Sequence, residues 1–483
     1  MPLTGENRAI VSYGLQLLTY TPRTGVAALI GSVGRALKGV PSASYVSFNL
    51  APRLNAAGRM DNASLAVELL LSEDPDDAAA RAAELSATNS ARQQEENRIA
   101  TEAIGMVEEN PDFADDRVIL LGSDDWNQGV IGIVASRITE KFDRPAILVS
   151  FAGETGDSGP SPSDVGKGSG RSVTGFNLFD ALSACSDCLV RFGGHEQAAG
   201  LSVRRDMMET LRSRLNAYAA EHSEGVGVQV IEYDSEPDPA DIDAKLADEI
   251  SGVLEPCGAG NPSPLFLFSD ARVKSAYPVA SGKHTKLSVE AGGLLFDAMI
   301  YSTPISEVPY GEGDAVDLLF TTEKNEYRGR VSVSLIVRDI RTSERAYRER
   351  LAEIAKLRSM KNGDPTPGAE DDIPGRDDFV VLYGLLERIV VGGRTSFSDI
   401  EIMRAIALCA PGIGYVKYKI MLGVFAQSGV FEIEENTVTG AEESSEWKMP
   451  CDVVSIRRPE VRIKADLEAA PLMKKVRVSA QKI

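Results

Sequence analysis

The chain has 483 residues and a mass of 51.8 kDa, room for about three domains. Its 43% hydrophobic and 25% charged residues exclude a fully disordered chain, and no run of 18 apolar residues is present to cross a membrane. With 51 Lys and Arg against 71 Asp and Glu, the net charge of -20 excludes a uniformly basic surface but not a local basic groove.

Residues 1–72 read as helical and short of strands: Val11, Leu15 and Leu18 share one helical face, Val26, Leu29 and Ile30 suggest a second helix, and Ala63–Leu71 a third. From Pro75 to about Asn110 a single long helix is expected, with Asp76 and Asp77 at its positive end, the alternative being two ordinary helices with a break near Asn89. Its middle, Thr88 to Glu96, is almost wholly polar, so it reads as a connector running through solvent, within residues 73–112. Residues 113–225 form the next unit, an α/β domain with strands at Val118–Leu121 and Ala146–Phe151, a helix over Val130–Phe142 and a loop over Gly153–Gly166.

Residues 226–342 are rich in strands: Ala271–Val279, Thr285–Val289, Leu294–Ile300, Val316–Phe320 and Arg330–Val337. Their spacing predicts a five-stranded barrel, with the second and third strands joined at Gly292-Gly293. Residues 343–376 are expected to hold a charged helix and then a linker, since Asn362–Asp378 carries Gly, Pro and runs of acid. The last unit, 377–483, has a helix start at Ser398-Asp399-Ile400, a second helix over Val416–Gln427 and a hairpin beginning at Val430–Glu434, an arrangement like a winged helix. Arg457–Ile483 holds eight basic against three acidic residues, suited either to a nucleic-acid or protein partner or to a solvated face.

Five cysteines are too few for a disulfide framework, and the CxxC pair Cys185 and Cys188 reads as two reduced thiols in a helix. The first eight residues lack the pattern of a signal peptide, and a cytoplasmic location is expected.

Three segments carry chemistry. Gly166-Lys167-Gly168-Ser169-Gly170-Arg171 combines glycines that could bare the backbone to an anion, a hydroxyl, and a guanidinium that fits a phosphate. It reads as a phosphate-binding segment or as a plain flexible loop; the residue order is not that of a P-loop. In Arg191–Gly200, the paired Gly193 and Gly194 are expected to lead into a closely packed helix, with His195 either donating to a phosphate or capping the turn. In Ala51–Met60, Arg53, Asn55 and Arg59 either follow a phosphate backbone or pair with acidic neighbours. In the barrel region Lys283, Lys286 and Arg328 read either as backbone contacts or as solvated charges, and Tyr301 and Tyr327 either as stacking platforms or as packing residues.

Taken together these segments resemble the RecJ family of single-strand-specific exonucleases, of the DHH superfamily. The resemblance rests on Pro2–Arg8 with Tyr13-Gly14-Leu15, Pro52–Met60, Gln128–Arg137, Lys167–Ser172, Gly193–Gly200 and Pro256–Pro262, in that order over nearly the whole chain. It implies a multidomain α/β architecture: the C-terminal remnant of a DHH domain, the connector helix, a DHHA1 domain, an OB-fold β-barrel containing Pro256–Pro262, and a C-terminal winged-helix-like α+β domain. It further implies that Ser169 and Arg171, with Gly168, Gly170, Gly193, Gly194 and His195, hold the 5′ phosphate of single-stranded DNA. The family's Mn²⁺ or Mg²⁺ ligands lie in DHH-domain sequence that does not occur here; no catalytic residue and no metal or cofactor site is assigned to this chain. The implied function is the DNA-binding part of a 5′-to-3′ exonuclease of repair and recombination, inactive alone. The alternatives are a non-catalytic subunit of a split nuclease, completed by a separate DHH domain or working with repair proteins, and a nucleotide phosphohydrolase.

Overall fold

In the computed structural model, the described residues are 1–34, 37, 39–60, 63–113, 116–152, 155–156, 159–160, 164–222, 231–327, 330–391, 395–437, 452–459 and 465–481. They divide into two compact units, one of residues 1–231 with 253–263, the other of 232–252 with 264–483.

The first unit opens with helices α1 (Gly5–Leu18) and α2 (Thr24–Gly31). A short turn of helix α3 (Ala43–Tyr45) passes through a π-helical stretch, Val46–Leu50, into α4 (Ala51–Met60), and α5 (Ser64–Leu71) follows. Helix α6 spans Pro75–Glu108 without a break, 34 residues and about 50 Å. Asp74 caps it by accepting from the N–H groups of Asp76 and Asp77, with Pro75 in the first turn, where its missing N–H costs nothing. Its first half buries Ala78, Ala82 and Leu85 with Leu29, Leu50, Ala57 and Leu69. Its last turns bury Ile99, Ala100, Ala103 and Val107 in the core of the next domain. Between them the helix is polar but only partly solvated: Asn89 is buried, and pairs such as Arg92 with Glu96 at 2.8 Å and Arg98 with Glu95 at 2.8 Å hold the surface.

The α/β domain is one five-stranded sheet, order β1-β2-β5-β7-β6, made of β1 (Ile119–Ser123), β2 (Ala146–Ser150), β5 (Val165–Arg171), β6 (Leu189–His195) and β7 (Ala198–Arg204). Two-residue strands β3 (Thr155–Gly156) and β4 (Gly159–Pro160) pair separately. Strands β1 and β2 run parallel; the other pairings are antiparallel. Strand alternation sorts the core: Ile119, Leu121, Ala146 and Leu148 meet helix α7 (Ile131–Phe142), while Val118, Leu120, Ile147 and Val149 meet α8 (Leu178–Ala184) and α9 (Met208–His222) on the other face. Cys185 and Cys188 sit just past the end of α8, Cys185 capping and Cys188 ending a single 3-10 turn; both are free and buried, and burial pushes the Cys185 thiol up.

In the second unit a closed barrel, order β10-β12-β11-β8-β9, is built from β8 (Phe266–Val279), β9 (His284–Ala291), β10 (Leu294–Ile300), β11 (Ala315–Tyr327) and β12 (Arg330–Thr342), preceded by α10 (Ala244–Leu254). Gly292 and Gly293, both at positive φ, make the tight turn between β9 and β10, with Ala291 paired to Leu294. Thr285, Leu287, Val289 and Ala291 alternate into the barrel core. The Pro256–Pro262 segment precedes β8 and supplies none of the barrel strands. It belongs to the first unit, where the Leu3 N–H donates to the Ala259 carbonyl at 2.6 Å and a side chain at Gly258 would meet Leu3.

The chain closes with α11 (Glu344–Asn362), α12 (Arg376–Val391), β13 (Ser396–Ser398), α13 (Asp399–Cys409), α14 (Tyr415–Gln427), β14 (Glu432–Thr437), β15 (Asp452–Arg457) and α15 (Pro471–Gln481), with sheet order β13-β15-β14. From α12 to β15 this is a winged-helix order, and Ser398 with Glu401 forms a capping box at the start of α13. Nine of the thirteen residues of α14 are buried, so this helix has no face to lay in a DNA groove.

The expected linker is not one. Thr366 and Ala369 are buried, the Thr366 N–H donates to the Ser479 carbonyl, and Lys356 reaches both the Gly368 carbonyl at 2.7 Å and Asp372 at 2.5 Å. Leu357 and Met360 of α11 share the core of the winged helix, so the end of α11 and the stretch after it pack on that domain, while Ser343 and Arg345 at its start hold Asp270 of β8. Acid and Pro content misled because carboxylates can solvate one side of a segment whose few apolar atoms dock on the other. Residues 363–375 are therefore expected to resist limited proteolysis; early cleavage there would show that the segment is undocked.

Candidate anion-binding site

The Lys167–Arg171 segment is not a loop but the central strand β5, and this decides what each residue does. On a strand, alternate residues face opposite sides. Gly166, Gly168 and Gly170 face the core: a side-chain carbon at Gly168 would lie 2.9 Å from Leu201 Cδ1, and one at Gly170 2.8 Å from Leu178 Cδ2. Their backbones are paired with β2 on one side and β7 on the other. This corrects the expectation that Gly168 and Gly170 bare the backbone to an anion; they let two sheet neighbours and α8 pack closely. Gly170→Ala is expected to cost about 1–2 kcal/mol of stability through overpacking while leaving anion affinity of the folded protein unchanged. Thermal unfolding alongside a binding titration checks this.

Lys167, Ser169 and Arg171 face the other side. There α7 begins: a side-chain carbon at Gly132 would lie 2.9 Å from Ser169 Oγ and 3.3 Å from Arg171 Nη2. Gly132 is therefore what lets the first turn of α7, which has no side-chain cap, approach this pair. Arg171 Nη1 donates to Ser169 Oγ at 3.2 Å and to the Gly170 carbonyl at 2.8 Å. Burial, and after it the charge of Arg59, lowers the Arg171 pKa. Arg59 comes to this place from α4. Its carbonyl packs on Gly129, where a side-chain carbon would fall 2.0 Å away, and its Nη1 donates to the Gly129 carbonyl at 3.3 Å. Two guanidinium groups, a hydroxyl and the start of a helix thus converge, an arrangement whose missing charge is negative.

The remaining expectations separate. Asn55 lies one turn from Arg59 on an exposed face of α4, whereas Arg53 is spent on packing: its Nε donates to Ser86 Oγ at 3.1 Å and its Nη1 to the Asn49 carbonyl. Gly193, Gly194 and His195 do not enter a helix; they end β6 at a hairpin to β7. Gly194 is needed there because a side chain would strike the Ala198 carbonyl at 2.4 Å. His195 Nδ1 accepts from the Gln197 N–H at 3.3 Å, capping the turn and placing the proton of the neutral ring on Nε2.

In the barrel, Lys286 is paired with Asp297 at 2.7 Å. Lys283 is exposed in the β8–β9 turn. Tyr301 is half exposed, with its ring edge against His284. Arg328 and the side chain of Tyr327 lie outside the described residues. Asp124 pairs with Arg205. Among the described residues no three His, Cys, Asp or Glu side chains gather as candidate metal ligands. Among the same residues no helix is long and apolar enough to cross a membrane.

Residues 115–221 match the DHHA1 domain family, and residues 233–339 match the RecJ OB domain. The chain is a homologue of RecJ across both domains. RecJ of Bacillus subtilis, a single-stranded-DNA-specific exonuclease, is 35% identical over 350 residues, 71% of this chain and 42% of the relative. RecJ of Dickeya dadantii is 34% identical over 348 residues, 70% of this chain and 58% of the relative. The crystal structure of Thermus thermophilus RecJ in complex with Mg²⁺ superposes with a TM-score of 0.58 at 29% identity, over 71% of this chain and 50% of that one. This chain thus spans about half the length of the RecJ proteins it matches. Arg59 stood in a separate motif in sequence, and only the packing of α4 on Gly129 brings it to Arg171. Sequence alone gives Lys167 and Arg191 no separate role, although the two-residue period of Lys167, Ser169 and Arg171 is that of a strand face.

Proposed function

We propose that this chain binds the 5′-phosphorylated end of single-stranded DNA, as the DNA-holding part of a RecJ-type 5′-to-3′ exonuclease. The observation that carries the reading is the convergence of Arg171, Ser169, Arg59 and the first turn of α7, which suits a terminal phosphate with two negative charges better than a diester with one. Homology to RecJ supports the nucleic-acid class of the ligand. Cleavage is assigned to no described residue.

The test uses the purified chain and a short oligothymidylate with a 5′ phosphate or a 5′ hydroxyl, titrated by fluorescence anisotropy, then incubated with Mn²⁺ or Mg²⁺. The phosphorylated strand is expected to bind more tightly, its affinity falling with salt, and no nucleotides are expected to be released. Equal affinity for both ends would overturn the binding reading. Release abolished by a substitution within this chain would overturn the assignment of cleavage elsewhere.

A second reading, a subunit completed by a separate catalytic domain, is favoured by an apolar helix face. Ile10, Tyr13 and Leu17 lie along one exposed side of α1. Exonuclease activity appearing only on addition of a metal-binding DHH domain would support it.

A further inference from the structure

The sheet face that carries Ser169 and Arg171 continues past them across β7 and β6. Cross-strand partners in an antiparallel sheet point to the same side. The register sets three rows across β5, β7 and β6: Arg171, Ala198 and His195; Ser169, Gly200 and Gly193; Lys167, Ser202 and Arg191.

The middle row beyond Ser169 is bare. A side-chain carbon at Gly193 would meet nothing within 4 Å, and one at Gly200 only the Gly168 carbonyl at 3.9 Å, so neither glycine is there to relieve packing. This contrasts with Gly166, Gly168 and Gly170 on the opposite face, where each side chain would collide.

The far row is basic. Lys167 and Arg191 are exposed, and among the described residues neither has an ion-pair partner. Ser202 lies between them, 6% exposed, and its Oγ accepts from Arg191 Nε at 3.4 Å, which ties the guanidinium to the sheet face. This row stands two residues, about 7 Å, along the strand from Ser169. Lys167 and Arg191 are two strands apart, about 10 Å, a gap their long side chains can close over one phosphate.

We propose that Lys167 and Arg191 bind the first internucleotide phosphate of the strand, with the sugar of the terminal nucleotide lying over the bare floor of Gly193 and Gly200. The inference rests on the reading of Ser169 and Arg171 as the seat of the 5′ phosphate and adds the next contact along the chain. A side chain on either floor glycine would fill the space between the two phosphate seats. Arg191 and Lys167 act as positioning residues: they fix where the terminal nucleotide lies relative to its own phosphate and touch no reacting atom.

The experiment measures binding of three 5′-phosphorylated decathymidylates to the full chain. One is unmodified, one carries a neutral methylphosphonate at the linkage between nucleotides 1 and 2, and one carries it near the 3′ end. The unmodified strand with a 5′ hydroxyl is the fourth ligand. The first-linkage methylphosphonate is expected to bind roughly tenfold more weakly than the unmodified strand, and the distal one equally well. In the variant Lys167→Gln with Arg191→Gln, the unmodified strand should weaken by a similar factor and the penalty at the first linkage should vanish, while preference for a 5′ phosphate persists. Gly200→Leu, which leaves every charge in place, should weaken all phosphorylated strands.

A native chain indifferent to the first linkage, or a double variant as sensitive to it as the native chain, overturns the proposal. Loss of 5′-phosphate preference in the native chain instead overturns the end-site reading beneath it. Circular dichroism melting of each variant separates lost binding from lost fold, and Arg191→Lys, which keeps the charge, should restore the penalty at the first linkage.

Discussion

Lys419→Met is expected to destabilise the C-terminal domain by about 3–5 kcal/mol, the cost of removing one partner from a buried ionic network. Lys419 is 2% exposed and Asp399 0%, and the ammonium lies 3.1 Å from Asp399, 2.7 Å from Asp452 and 3.2 Å from Glu435. The Tyr418 hydroxyl donates to the other oxygen of Asp399 at 2.9 Å. Burial opposes the charge on Lys419, but the carboxylates of Asp399, Glu435 and Asp452 outweigh it and hold its pKa above the ordinary lysine value. The stabilisation from this raised pKa is therefore fully present below about pH 10.4, the unfolded value, and is lost only as pH rises through the folded one. Burial likewise pushes the neighbouring Tyr415 phenol up to about 12. With methionine in place, three carboxylates face one another with no cation. Hydrogen exchange of the α13 and α14 amides reads the effect locally in the full chain. Unchanged protection would show that the network adds nothing, and adding Asp399→Asn to the variant should recover part of the loss.

Arg171→Ala is expected to weaken binding of a 5′-phosphorylated single strand by about 1.5–3 kcal/mol, roughly ten- to 150-fold. The loss should be confined to strands with a 5′ phosphate, because the guanidinium is aimed at the end seat beside Ser169 and the start of α7. Stability should change little or rise, since Arg171 is partly buried close to Arg59 and its pKa is lowered there. Titration of phosphorylated and hydroxyl-ended strands against native and variant chains checks this. An equal loss for both ends would make Arg171 a general contact with the backbone.

Periodic features were legible in sequence. The long helix shows in the absence of Gly and Pro between Pro75 and Gly105, and its single continuous run, Pro75–Glu108, follows. The barrel turn shows in Gly292-Gly293, since few other pairs tolerate two positive φ angles in succession. Glycine density misled elsewhere. Gly166, Gly168 and Gly170 suggested a loop, yet a glycine at every second position is also what a strand needs when Val149, Leu201 and Leu178 crowd one of its faces. Gly193 and Gly194 suggested entry to a helix for the same reason. Lys419 gave no signal at all, because a lysine in sequence is a surface residue until three carboxylates from distant segments enclose it. Arg59 and Arg171 are 112 positions apart in the chain, and no spacing rule joins them.

Helix α6 keeps that last pair in phase. Arg59 precedes the helix and Arg171 follows it, and each end of the helix is embedded in its own core. A helix advances 1.5 Å and turns about 100° per residue. Deleting one residue from its polar middle would thus swing everything downstream by more than a quarter turn and take α7 and β5 away from α4. Removing seven would nearly restore the angle yet leave the two guanidinium groups about 10 Å out of step. The polar stretch around Thr88–Glu96 is thus constrained in its count of residues as well as in the pairs that Arg92 and Arg137 make with Glu96.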